Sequence, residues 1–226
     1  MKLESKKNNQ STLSDFGVGL LGVSGKYFAK SNDEINDLIS LIIRNYDSFI
    51  DTATVYGSEK NHINTILSKC LFTSASKTSC YIINKYGLDL DKNVNNSYSL
   101  INDFHQSYEF FPSNQIMHLI HRASLDTLER DYEFYNYIKR YDSSLVFGIC
   151  TNNLEVLKCY LKKMNINILQ VAINLLDYTA VIPLITFAKA NDIFVLARSV
   201  LASGVLSLKY NQSSCDLFQD SIRKRF

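Results

Sequence analysis

Asp51 and Tyr56 in FIDTATVYGSEKNHI, Lys85 in YIINKYG and His121 in QIMHLIHR make up a complete set of groups for moving a hydride onto a carbonyl. The reduced carbonyl needs a proton, and an unperturbed tyrosine, with a pKa of about 10, donates it poorly unless a cation stabilises the anion left behind. Lys85 is the candidate cation. Asp51 is the carboxylate that would hold the lysine in place and keep it charged, and His121 would donate to the carbonyl oxygen, fixing its orientation and stabilising charge as it forms. Singly, each has a duller reading: an Asp before a turn caps, a Tyr beside Gly packs, and a Lys at a strand end is solvated. Four together, each where an apolar run gives out, point to a site. His118 lies three residues before His121, so on a strand the two face opposite ways and one of them packs or lies at a rim.

The elements that must position these groups alternate. Short runs rich in Val, Ile and Phe (FGVGLLGVS, SFIDTAT, CYIINKYG, NQIMHLIHR, SLVFGICTN, ILQVAINLL and IFVLARS) read as about seven strands. Between them NDEINDLISLIIRNY, SEKNHINTILSK, the stretch from Val94 to Phe111, DTLERDYEFYNYIKRY, LEVLKCYLKKM and VIPLITFAKAND read as helices. In the first of these Ile35, Leu38, Ile39, Ile42 and Ile43 share one face, with Ser31 or Asn32 placed to cap. Strands that are apolar throughout are covered on both faces, and parallel strands need helical crossovers. Two architectures satisfy this: a closed β/α barrel, whose catalytic groups converge at the carboxyl ends of the strands, or an open doubly wound sheet. Gly17, Gly19, Gly22 and Gly25 are a poor match to the dinucleotide fingerprint of the open sheet, because no acidic residue closes a second strand at the expected distance.

Length and composition agree with one α/β domain over residues 16–226. The 226 residues sit near the low end of the barrel class, which typically takes about 250 and as few as roughly 200. Apolar residues at 46% and charged residues at 20% are ordinary for a globular protein with a sizeable core. A formal charge of +2, from 24 basic and 22 acidic residues, gives no reason to expect a nucleic-acid or membrane-surface partner. Cys70, Cys80, Cys150, Cys159 and Cys215 contain no CxxC pair, so reduced thiols in a cytoplasmic protein are expected and a metal site is not. The opening MKLESKKNNQSTLSD has no apolar stretch after its charges. It reads as a polar, poorly ordered arm over residues 1–15 rather than as a signal peptide.

FIDTATVYGSEKNHI resembles the aldo-keto reductase segment in which a strand ends in Asp-Thr-Ala and a Tyr-Gly pair follows. Further along, INKYG resembles the family's lysine strand, HLIHR its histidine strand, FGICTNN its Gly-Val-Ser-Asn strand, ILQVAINLLD its glutamine strand and LARSVLASGVLSLKY its cofactor-clamping loop. The likeness runs from about Phe16 to Tyr210, and ARSVLASGVL is similar to a bacterial subgroup associated with surface-polysaccharide gene clusters. The resemblance implies a (β/α)8 TIM-type barrel that reduces aldehydes or ketones, a sugar among them, with NADPH, or NADH as the alternative. It casts Tyr56 as proton donor, Lys85 and Asp51 as its tuners and His121 as the substrate-orienting group. Gln170 would bond the nicotinamide carboxamide, helped by Cys150 and Thr151 where the family has Ser and Asn; Arg198 would stack where many members have Tyr, and Ser199 and Leu201 would lie along the pyrophosphate.

After LKYNQSSCDLFQDSIRKRF a full-length member would continue through an eighth strand and a last helix. The expectation is therefore a barrel lacking its last βα unit, and with it the usual phosphate site. Arg223, Lys224 and Arg225 read as a solvated tail. An open edge between the first and seventh strands would invite a homo-oligomer. A second reading follows: a non-catalytic remnant or scaffold that keeps the tetrad but binds cofactor weakly or not at all.

Overall fold

Local rules in the sequence set most of the elements of the computed structural model, which describes residues 16–23, 31–45, 49–58, 61–73, 80–88, 96–111 and 115–207. The expected polar arm and the basic end Arg223–Arg225 lie outside these residues. The described residues group into two compact units, one up to Ile149 and one from Cys150.

The first unit opens with β1 (Gly17–Gly19), shorter than expected because the chain turns into a single 3-10 turn at Leu20–Gly22. Gly17 is required there: a Cβ would stand 2.8 Å from the Phe49 carbonyl oxygen of the neighbouring strand. Gly17 thus serves a close strand approach rather than a phosphate. Helix α1 (Asn32–Asn45) begins with a reciprocal cap in which Ser31 Oγ accepts from the Glu34 N–H and Glu34 Oε2 accepts from the Ser31 N–H (2.8 Å). Strand β2 (Phe49–Ala53) follows, then a two-stranded hairpin, β3 (Gly57–Ser58) with β4 (Asn61–His62), and helix α2 (Ile63–Thr73). The stretch SEKNHINTILSK is therefore helical only in its second half.

Strand β5 (Tyr81–Tyr86), α3 (Ser97–Phe110), β6 (Ile116–Ile120), α4 (Leu128–Tyr141) and β7 (Phe147–Cys150) complete this part. Pairing is parallel throughout, β1 with β2, β2 with β5, β5 with β6 and β6 with β7. Register decides the faces. Ala53 pairs with Lys85 and Lys85 with Leu119, so Asp51, Lys85 and, two residues past Leu119, His121 have the same parity. Asn84 pairs with His118 and Tyr86 with Ile120 on the other parity. There Tyr86 and His118 meet Phe104 of α3 and Phe134 of α4, all buried, with ring centroids 5.2–6.1 Å apart.

The second unit carries α5 (Leu154–Leu161), β8 (Ile168–Ala172), α6 (Ile182–Ala190) and β9 (Phe194–Arg198). Asn153 caps α5 by accepting from the Glu155 and Val156 N–H groups, and Pro183 sits in the first turn of α6 where its missing N–H costs nothing. Strands β8 and β9 are parallel, with Gln170 opposite Leu196 and Ala172 opposite Arg198. Among the described residues no helix is long and apolar enough to cross a membrane.

Candidate active site

Parallel register brings the four chemical groups of the first unit together. Asp51 lies within β2 near its carboxyl end, Lys85 is the penultimate residue of β5, and His121 follows β6 directly, its N–H donating to the Tyr86 carbonyl at 2.8 Å. Lys85 Nζ donates to Asp51 Oδ1 at 2.5 Å, with the lysine side chain 1% and the aspartate 20% exposed. An ammonium buried to this degree needs a carboxylate partner to remain charged. Tyr56 comes from the loop after β2, itself 6% exposed, and its ring faces the Lys85 ammonium at 5.1 Å. The His121 ring meets that of Tyr56 edge-on at 5.8 Å between centroids. One cation, one carboxylate, one phenol and one imidazole therefore occupy a single cluster.

His118 belongs elsewhere. It is fully buried, and the hydroxyl network fixes its tautomer. Ser107 Oγ donates to the Phe104 carbonyl (2.6 Å), so it must accept the Tyr86 proton (2.9 Å), and the Tyr86 oxygen then accepts from His118 Nδ1–H (2.9 Å). Nε2 is left as a lone pair with no hydrogen-bond partner among the described residues. Burial, with Lys139 adding to it, drives the His118 pKa down to about 3, so the ring is neutral.

The second unit holds the other expected residues. Gln170, in the middle of β8 and 1% exposed, accepts at Oε1 from the Cys150 thiol (3.1 Å). Its Nε2 is buried with no hydrogen-bond partner among the described residues. A buried N–H pair with nothing to give to is costly unless a ligand supplies the acceptor, and a nicotinamide carboxamide oxygen is an acceptor of that kind. On this observation the residues fit the cofactor the resemblance implies. Thr151 is buried beside them and its N–H donates to the Gln170 carbonyl at 3.2 Å. Asn152, which the sequence reading passed over, exchanges two 2.9 Å bonds with the Ala172 backbone and ties the chain after β7 to the end of β8.

Arg198 ends β9 exposed, with Nη1 donating to Ser199 Oγ at 3.3 Å; Leu201 is 55% exposed. Ser199, Ala202 and Ser203 have φ of 59°, 48° and 57° in the loop that follows. Left-handed backbone at three non-glycine residues costs on the order of 1–3 kcal/mol each, and such strain gathers at ligand clamps.

The aldo/keto reductase family model matches residues 15–221. The chain belongs to the aldo/keto reductase family. With that, its seven parallel strands and intervening helices are of the (β/α)8 TIM-barrel type, the last βα unit being absent among the described residues. The aldo/keto reductase fold is also that of solved structures. A glycerol dehydrogenase from Gluconobacter oxydans is 19% identical with a TM-score of 0.72, the match covering 92% of this chain and 66% of that one. The holo form of an aldo-keto reductase from Bacillus halodurans is 17% identical with a TM-score of 0.71, covering 88% and 66%. An aldo-keto reductase complexed with NADPH is 20% identical with a TM-score of 0.60, covering 81% and 58%. At such identities the likeness concerns fold alone, and the chain spans about two thirds of the length of the first of these structures. No curated protein matches the sequence.

Proposed function

We propose that this aldo/keto reductase family member is an NADPH-dependent oxidoreductase that reduces an aldehyde or ketone, a sugar among the candidates, to an alcohol. The observation that carries the reading is the cluster in which Lys85 Nζ, bound to Asp51, faces the Tyr56 ring at 5.1 Å with His121 edge-on to the same ring. When bound, the nicotinamide supplies hydride to the carbonyl carbon. Tyr56 gives its phenolic proton to the carbonyl oxygen, and the Lys85 ammonium stabilises the negative charge left on the ring. Asp51 keeps that ammonium charged and fixed, and His121 donates to the carbonyl oxygen as charge develops there. The low exposure of Tyr56 and Lys85 limits competition from water for these hydrogen bonds.

Gln170, with Cys150 and Thr151, would hold the carboxamide, the support for this assignment being its buried Nε2, which has no partner among the described residues. Arg198 offers a flat cation to stack on a ring, and Ser199 and Leu201 lie in the strained loop that would follow the pyrophosphate. NADH is the alternative cofactor. A homo-oligomer formed along strand β9, where Phe194 is 38% exposed, belongs to the same proposal and is read by solution mass.

The test is oxidation of NADPH, and in parallel NADH, followed by absorbance against a panel of aldehydes, ketones and reducing sugars. Carbonyl-dependent oxidation of NADPH is expected. A folded protein inert across the panel with both cofactors would favour the non-catalytic reading instead.

A further inference from the structure

The proposed chemistry leaves unused Asp103 and His62, which both bond to Thr54, two residues before Tyr56. Thr54 stands between Asp51 and Tyr56, just past the end of β2, and all three of its polar groups are engaged. Its N–H donates to the Lys85 carbonyl at 3.0 Å. Its hydroxyl donates to Asp103 Oδ2 of α3 at 3.1 Å, with the Lys85 carbonyl a longer alternative at 3.4 Å. Its carbonyl accepts from His62 Nε2, which fixes that nitrogen as the protonated one.

The hairpin β3–β4 is the device that returns His62 to this point. It closes where the Ile63 N–H donates to the Tyr56 carbonyl at 3.1 Å, so Tyr56 sits inside a loop pinned at Thr54 and at His62–Ile63. The His62 ring also stacks on Phe110 at 6.2 Å and 23°, near the end of α3, and the Phe110 carbonyl accepts from Ser68 Oγ of α2 at 2.7 Å. Both grips on Thr54 thus lead back to α3, an element with no chemical motif of its own. One further fact sets Asp103 apart from a surface carboxylate: it is half-buried, and that burial pushes its pKa up to about 6 despite the opposing Thr54 bond.

We infer that Asp103 and His62 are positioning residues which hold Thr54 from two sides and thereby set Tyr56 against Lys85. This rests on the carbonyl-reductase reading above for its catalytic meaning, although the clamp is a statement about geometry. Neither side chain is required to touch substrate. Their effect passes through the Thr54 backbone, because a phenol displaced by about an ångström from its productive position can cost on the order of a hundredfold in rate.

The experiment places 3-fluorotyrosine at position 56 and reads its fluorine resonance, then measures turnover on the same samples. Asp103→Ala and His62→Phe remove one grip each, the second keeping a ring against Phe110. Asp103→Asn keeps an acceptor for the Thr54 hydroxyl, and Thr54→Val removes that hydroxyl at nearly constant shape should the alanine variant fail to fold. The clamp predicts that Asp103→Ala, His62→Phe and Thr54→Val each shift or split the resonance and lower kcat by about tenfold or more, with NADPH affinity within about twofold of the parent, while Asp103→Asn restores both readouts. An unmoved resonance in folded Thr54→Val and His62→Phe proteins would overturn the clamp. If the parent itself turns nothing over, the reductase reading falls but the fluorine spectrum still decides whether Tyr56 is held this way.

Discussion

Acid should destabilise this protein through His118, and replacing that residue by Asn should remove the effect. His118 is buried as a neutral ring with Nδ1–H given to Tyr86, so a second proton would have to enter at Nε2, which has no acceptor among the described residues and is repelled by Lys139. The folded pKa of about 3 lies below the usual 6.5. A depressed histidine contributes stability that is present above the unfolded pKa and is lost as pH falls toward the folded one, because the unfolded chain then binds the extra proton. Over the full window this amounts to on the order of 5 kcal/mol, and between pH 7 and pH 5 to about 2 kcal/mol.

Asp103 acts in the opposite sense. Its folded pKa of about 6 lies above the ordinary 3.8, so its carboxyl loses stability as pH rises through that interval and regains it on acidification. The raw pH slope of the parent therefore mixes the two, and the comparison must be made with a variant. In His118→Asn the side-chain amide can still donate to the Tyr86 oxygen but cannot titrate. It leaves a cavity whose cost, about 2–4 kcal/mol, does not depend on pH. Urea unfolding at pH 7, 6 and 5 should show the stability gap between parent and variant shrinking by about 2 kcal/mol toward acid. A gap that stays constant would refute the buried, neutral assignment of His118.

Tyr56→Phe should abolish carbonyl reduction while leaving nicotinamide binding near the parent value; a Phe variant that turns over normally would remove Tyr56 from the role of donor. Gln170→Ala should weaken nicotinamide binding by more than tenfold, about 1.4 kcal/mol, with little change in thermal stability, and equal binding by the variant would show that Nε2 meets no cofactor. Gly87→Ala should destabilise the fold by about 1–3 kcal/mol in urea unfolding, since Gly87 has φ +107° and a Cβ would stand 3.2 Å from Arg130 Nη2. An unchanged midpoint would show that the turn after β5 relaxes without cost.

How far the site was legible from sequence depended on the range of the interactions. Strand parity is a local property, so the placement of Asp51, Lys85 and His121 on one side, and of His118 on the other, follows from alternation once the strands are aligned in parallel. A cap at Ser31 or Asn32 was legible because capping is equally local, and the structure gives the role to Ser31, with Glu34 three residues away. The hairpin at Gly57–His62 was hidden because the stretch is polar and reads equally well as the start of α2. The Thr54–Asp103 bond joins residues 49 apart, and nothing in the sequence of α3 marks Asp103 as different from other helix carboxylates. Asn152 was missed because its amide pairs with backbone at Ala172, a role that leaves no motif. Long-range polar partners are set by the packing of helices on strands, which apolar periodicity fixes only coarsely.

Titration of the purified chain with NADPH, followed by nicotinamide fluorescence, tests the central claim most directly. Saturable binding in the micromolar range, weakened by more than tenfold in Gln170→Ala and kept in Tyr56→Phe, is the result predicted for a nicotinamide-dependent reductase. Absence of binding by a protein that unfolds cooperatively would contradict it and leave the Asp51, Tyr56, Lys85 and His121 cluster without a hydride to accompany.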